Sequence, residues 1–366
     1  MNRSVPIVCC AIWLWTLEPG QATPGARNSV AWLSNTADAI VIGAVDAHSP
    51  FSHSPVITIE ATVHITRVRK GPLAAGTTLS LSWELPPGVR RSSNTATAKL
   101  QSYGIFFLAR KPAGRWSVLW VYEGSPMWDE AFLKIPAQSP PGLRAAVLAS
   151  LPANASVVDT VLAEVVLAHE SGVQVNINLI EEFRRSKSPF LESAFVRFQS
   201  NRDPHIRNLG IRGSLAAGDV GTLLAIQREH RTLASDDSLW QRLLDSLRLF
   251  VNTERRALWS LGLMASDEGS RIDLRSAAAS ALARMHTRDT LPLLAALLDD
   301  PSDELRAIAC GGIARFANNL PMDSSQPASR YSPYRTWDTI IHATFESEHT
   351  PFWKAWWKEH KAELTK

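Results

Sequence analysis

Three groups of side chains in this sequence have the residue types to do chemistry. The first is ten histidines, the second a set of adjacent carboxylates, and the third a run of arginines and lysines early in the chain. The histidines are scattered: His48 and His53 share one predicted loop, and His64 falls on the polar side of a predicted strand. His342, His349 and His360 occur together only near the C-terminus, where a metal site would need all three to converge. The carboxylate pairs Glu181-Glu182, Asp236-Asp237 and Asp299-Asp300 fall at predicted helix starts or turns, where the helix dipole and solvent account for them. The chain has no His-Glu-x-x-His, no paired-cysteine motif, no phosphate loop and no Gly-x-Ser-x-Gly elbow. The sequence therefore nominates no catalytic residue, no metal ligand and no cofactor.

Two weaker candidates are for binding. Arg67, Arg69, Lys70, Arg90 and Arg91, with Lys99, Arg110 and Lys111, fall at strand ends and loops, so several can share one rim of a small barrel. Such a rim is either plainly solvated or a site for an acidic polymer or an anionic surface. Trp353 and Trp357 belong to an aromatic-rich C-terminal segment that either caps a helical stack or faces a partner or sugar ring. A nucleic-acid site would interleave stacking aromatics with its cations. The nearest ones, Trp83 and Trp116, alternate into the expected core instead.

The bulk properties agree with a binding role for an ordinary globular chain. With 366 residues, 45% of them hydrophobic and 20% charged, there is room for two domains and a substantial core. A formal charge of +3 is too small to argue for nucleic acid or anionic lipid. The excess is N-terminal: residues 27–135 hold 11 Lys+Arg against 7 Asp+Glu, and residues 136–366 hold 26 against 27. Residues 1–22 read as an export signal. Arg3 is followed by the apolar Val5–Leu17, the breaker Glu18-Pro19-Gly20, and small residues ending at Ala22. The apolar run of about 13 residues is short for a bilayer span, although a retained N-terminal anchor is the alternative. Cleavage before Thr23 predicts a periplasmic or extracellular protein with no stable membrane span. Only Cys310 would remain, as a small buried hydrophobe, with no internal disulfide.

Residues 27–133, which carry the basic run, read as a β-domain. A short amphipathic segment at Ser29–Leu33 precedes the near-continuous apolar run Ala39–Val45. Val56–Lys70 and Thr78–Trp83 alternate with period two, as half-buried strands do. Gly104–Ala109 is apolar throughout, and Lys111–Gly114 turns it into a hairpin partner at Trp116–Val121. Five strands of this kind make a small barrel or sandwich. On Ala37–Gly43, Val68-Arg69-Lys70-Gly71 and Gly104–Leu108, about 95 residues of the chain resemble a β-domain of exported bacterial proteins in the style of netrin-like and OB barrels. The cysteine framework of animal netrin-like modules is absent, so their protease-inhibitor role is not carried over.

Residues 134–146, rich in proline, read as a linker, after which the period changes to 3.6. Helices are expected at Val157–Ala168, Asn178–Arg185, Pro189–Phe198, from Asp203, at Val220–Arg228, Leu239–Phe250 and Glu254–Met264. The clearest signal lies at Asp273–Asn319. Leu274-Arg275-Ser276-Ala277-Ala278 is answered 31 residues later by Leu305-Arg306-Ala307-Ile308-Ala309, with the apolar Leu291–Leu298 between them. On these residues the span 147–319 resembles HEAT-like repeats of the short bacterial kind, which implies an α-helical solenoid. The resemblance also implies that Arg275 and Arg306 tie neighbouring repeats to the acidic turn at Asp299-Asp300.

Residues 320–349 form an irregular Ser- and Pro-rich segment, and 350–366 a Trp-rich capping helix with Thr350 as N-cap and Pro351 at the first position. The expected protein is α+β and multidomain. Its expected role is that of an exported, non-enzymatic scaffold whose helical surface grips another protein. The alternative is a hydrolase or lyase with its site between the two domains. Some HEAT-like proteins resemble lyases that attach bilins, but an exported chain would not meet their cytosolic substrates.

Overall fold

A computed structural model describes residues 29–48, 57–85, 103–119, 133–139, 141–173, 178–234, 237–319 and 346–365. The fold is mixed α+β: a five-stranded N-terminal barrel followed by a long series of helices. The expected export signal and the loops holding Arg90 and Arg91 lie outside the described residues.

Helix α1 (Val30–Thr36) is capped by Ser29, whose side chain accepts the Trp32 amide. Strands β1 (Ala39–His48), β2 (Ile57–Lys70), β3 (Thr78–Leu85), β4 (Tyr103–Arg110) and β5 (Trp116–Val118) follow. They pair in the order β1-β2-β3-β5-β4, and β4 returns to β1, so the sheet closes into a barrel rather than a sandwich. All pairings are antiparallel except β3 with β5. A sixth, two-residue strand, β6 (Leu133–Lys134), joins β4 and has no signal in the sequence.

The closure explains why two strands read as continuous apolar runs and the others alternate. Val41 of β1 with Phe106 and Leu108 of β4 point into the barrel, beside Ala61, Val63 and Ile65 of β2. Ile40 and Ile42 of β1, with Ile105 and Phe107 of β4, point the other way and pack against helices. Strands covered on both faces need apolar residues at every position. Gly43 sits at a register shift of β1, and a Cβ there would strike the His64 carbonyl of β2.

The helical part comprises α2 (Pro141–Ala149), α3 (Val157–Glu170), α4 (Leu179–Ser186), α5 (Pro189–Phe198), α6 (Pro204–Ala216), α7 (Thr222–Glu229) and α8 (Ser238–Arg248). It continues with α9 (Arg255–Ser266), α10 (Ile272–Met285), α11 (Leu291–Leu297), α12 (Asp303–Ala317) and α13 (Glu346–Leu364). Five of these starts are written locally: Ser156 forms a capping box with Asp159, and Asn178, Ser188, Asp203 and Asp237 each cap the helix that follows. Helices α4, α6, α8, α10 and α12 lie side by side in that order. Helices α5 and α7 pack on α6, α9 on α10, α11 on α12, and α13 on α12. Small residues set the closest approaches: a Cβ on Gly312 would lie 2.8 Å from that of Ala283, and one on Gly210 would lie 2.6 Å from the Gln199 backbone nitrogen.

Two sequence expectations change. The stretch 134–146 contains the start of α2, since Pro141 sits where helices tolerate proline and Leu143 and Val147 form an i,i+4 apolar pair. Nor does it separate two cores: α1, α3, α4 and α5 share one apolar cluster with the outer faces of β1 and β4. The last helix begins at Glu346, not Thr350, and Pro351 lies inside it. Thr350 is buried, with its hydroxyl 3.7 Å from Cys310 Sγ of α12.

One buried carboxyl makes the α1–α4 contact sensitive to pH. Glu182 of α4 accepts the Val30 amide at 2.9 Å, and burial pushes its carboxyl up to about 7 despite that bond. A raised folded-state value means that this group's contribution is fully present below about pH 4.5 and is lost as pH rises through 7. Glu182→Gln is therefore expected to match the parent near pH 4.5 and to exceed it by about 3 kcal/mol at pH 8, read from unfolding curves at both pH values. Half-buried His169 slopes the other way, its imidazole pushed down to about 4 by desolvation, so the comparison is made as the difference between variant and parent.

Candidate functional site

A broad surface feature runs across the row of side-by-side helices. An open groove of about 730 Å³ crosses the C-terminal end of α3, the start of α4, and the faces of α6 and α8. Its polar residues include His169, Asp203, His205, Asn208, Arg212 and Arg242, and its apolar wall is formed by Ile180, Leu209 and Leu239. A second, smaller hollow of about 190 Å³ lies alongside, where Arg184, Ser246, Leu249, Val251 and Arg284 meet.

The walls are built by ordinary local rules. Asn208 of α6 is buried, and its amide donates to the Leu239 carbonyl at 2.8 Å, holding α6 against the start of α8. Asp203 accepts the His205 and Ile206 amides as the N-cap of α6, so its charge is spent on the helix end. Arg212 Nε donates to Ser246 Oγ at 3.1 Å, and that hydroxyl donates to the Arg242 carbonyl at 3.0 Å. The bond fixes the Arg212 guanidinium while leaving both of its terminal nitrogens without a partner among the described residues. Burial, then the neighbouring charges of Arg242 and Arg184, push Arg212 below the usual arginine range, and Asp245 offsets this only in part. Asp245 is itself held by Arg248 at 2.7 Å. His169 lines the groove as a neutral imidazole, kept so by burial.

Three members of the basic cluster read from the sequence, Arg67, Arg69 and Lys70, are drawn to the helices, whereas Arg110 and Lys111 are exposed and Arg90, Arg91 and Lys99 lie outside the described residues. Arg67 and Arg69, two apart on β2, face the helices and converge with Arg144 of α2 on Glu164 of α3, whose side chain is 2% exposed. Arg67 Nη1 lies 2.9 Å from Glu164 Oε1, Arg69 also reaches that oxygen, and Arg144 takes both oxygens at 2.7 and 3.2 Å. Lys70 donates to the Ser34 and Asn35 carbonyls at 3.0 Å and so closes the C-terminal end of α1. These three cations hold barrel and helices together. The sequence placed Arg67 and Arg69 at the end of a strand, and only the packing of α2 and α3 brings them to Glu164.

The aromatic helix also turns inward. Trp353 is fully buried in the cluster that includes α10 and α12, edge-on to Phe352 at 4.8 Å and to Trp356 at 5.9 Å. Trp357 is half-buried against the same cluster, and Lys354 reaches Asp299 at 2.6 Å. Trp353 is core rather than surface, because α13 covers the last face of α12. Among the described residues no three His, Cys, Asp or Glu side chains converge to hold a metal ion, and no helix is long and apolar enough to cross a membrane.

Neither the groove arginines nor Glu164 stood out in the sequence. Arg184, Arg212 and Arg242 are 28 and 30 residues apart, close to the repeat length, which is the signal that would have found them. Comparison with family models, curated proteins and solved structures finds no match to this chain.

Proposed function

We propose that this chain is an exported, non-enzymatic binding protein. In this reading residues 147–319 form a HEAT-like solenoid, the barrel resembles netrin-like and OB barrels, and a partner protein lies along the row of helices. The observation that carries it is the open groove across α4, α6 and α8, with polar and apolar walls on a rigid row of packed helices. Repeat arrays present surface, and their specificity resides in side chains projected from successive helices. Between barrel and helices, where the alternative enzyme reading puts its site, both carboxylate oxygens of Glu164 are taken by arginines.

The test is crosslinking of the chain from Thr23 onward in a cell-envelope extract, with a photoreactive group at exposed His205. The expected result is one dominant crosslinked protein that is lost when the group is moved to exposed Lys111 on the barrel. The same crosslinks from both positions, or none from either, would sink the reading. Export is checked separately by sequencing the N-terminus of the mature protein, where Thr23 is expected and Met1 counts against it.

A further inference from the structure

We propose that the groove across α4, α6 and α8 binds an extended, acidic segment of the partner that carries aliphatic as well as carboxylate side chains, with Arg212 and Arg242 taking the carboxylates. This rests on the reading that the row of helices binds a protein, and it names the chemistry of the segment.

The first argument is the pairing pattern. Elsewhere in the helical row the arginines are matched: Arg207 with Glu229 at 2.8 Å, Arg271 with Asp273 at 2.8 Å, Arg275 with Asp300, and Arg306 with Asp303. Arg184, Arg212, Arg242 and Arg284 come from four successive members of the row, α4, α6, α8 and α10, and line two adjoining hollows. None of the four has an ion-pair partner among the described residues. Arg212 is half-buried between like charges, and a guanidinium so placed gains most from an anion that displaces little ordered protein. Its Nε is spent on Ser246, which leaves the two terminal nitrogens as a fork suited to a carboxylate.

The second argument selects a peptide over other polyanions. Ile180, Leu209 and Leu239 line the larger hollow, and Leu249 and Val251, both exposed, line the smaller. No Phe, Tyr or Trp is among the described residues lining either one. Bases and sugar rings are held by aromatic faces, whereas aliphatic side chains match aliphatic walls. The acidic groups facing the groove do not cancel the arginines, since Asp203 caps α6 and Asp245 holds Arg248.

The experiment uses the full chain and a fluorescent peptide of about twelve residues built from Glu and Leu, long enough to cross three helix spacings of ~10 Å. A twin with Gln for every Glu, and the sugar polymer polygalacturonate, serve as controls. The acidic peptide is expected to bind, and its affinity to fall roughly tenfold in the twin, in R212Q/R242Q and in high salt. Arg242 is exposed, so R242Q alone, expected to lose roughly threefold, keeps the test free of folding effects. Equal binding of the twin, unchanged binding by R212Q/R242Q, tighter binding of polygalacturonate at the same site, or no binding of the acidic peptide would each overturn the proposal. If R212Q/R242Q still captures the crosslinked envelope partner in full, the helical face remains the protein-binding surface and only the acidic-segment assignment falls.

Discussion

Truncating Asp300 to alanine is expected to destabilise the protein by about 3–5 kcal/mol, the range for breaking a buried ion pair from one side. The side chains of Asp300 and Arg275 are each 6% exposed, and the Arg275 guanidinium reaches an Asp300 oxygen directly. Arg275 Nε donates to the Ala265 carbonyl at 3.0 Å, the other Asp300 oxygen accepts the Ser302 amide at 2.9 Å, and Arg306 donates to the Asp300 carbonyl at 2.7 Å. One carboxylate therefore joins the end of α9, the body of α10 and the start of α12. Without it Arg275 keeps a single acceptor in a site closed to water, and that orphaned charge supplies most of the cost. The control is a double-mutant cycle with Arg275→Met, which removes the charge and keeps much of the stem. The double variant is expected to be less destabilised than the sum of the two singles by at least about 1 kcal/mol, measured by urea unfolding. Additive losses would mean that the two residues act independently.

Replacing Glu164 with alanine is the second large effect, expected at about 3 kcal/mol. It falls at the lower end of the range because Arg67, Arg69 and Arg144 are each about a quarter exposed and water can reach them once the carboxylate is gone. The loss is expected to be local in character. Strand β2 near Arg67–Lys70 and the middle of α3 should lose hydrogen-exchange protection first, because the clamp joins those two elements and α2. Arg144→Ala in the Glu164→Ala background should cost little more, since its bidentate partner is already absent. Protection unchanged in β2 would show that the apolar contacts of β1 and β4 hold barrel to helices unaided.

Both effects bear on how the proposed binding face stays in shape. The groove arginines are useful only if α4, α6 and α8 keep their spacing, and that spacing is set by buried joints such as Asn208 to Leu239 and the close approach of α5 and α6 at Gly210. A face fixed in advance loses less conformational freedom on binding than one that must order itself.

The sequence by itself determined the kind and order of elements. Period-two alternation and apolar runs marked the strands, and 3.6-residue periodicity marked the helices, often to within a residue or two at their ends. These signals are local, arising from pleat and helical turn, and so they survive in one dimension. The tie of Arg275 and Arg306 to the Asp299-Asp300 turn was expected from the resemblance that the 31-residue repeat suggested, and Asp300 makes it. What only the tertiary structure decided lies between elements distant in the chain. Glu164 meets Arg67 across 97 residues, closure of the sheet depends on β4 returning to β1, and the unpaired arginines become a cluster only when α4, α6 and α8 stand side by side. A charged residue on a strand or helix carries no mark of its partner, because the partner is chosen by which faces pack, and packing is settled by the whole core at once.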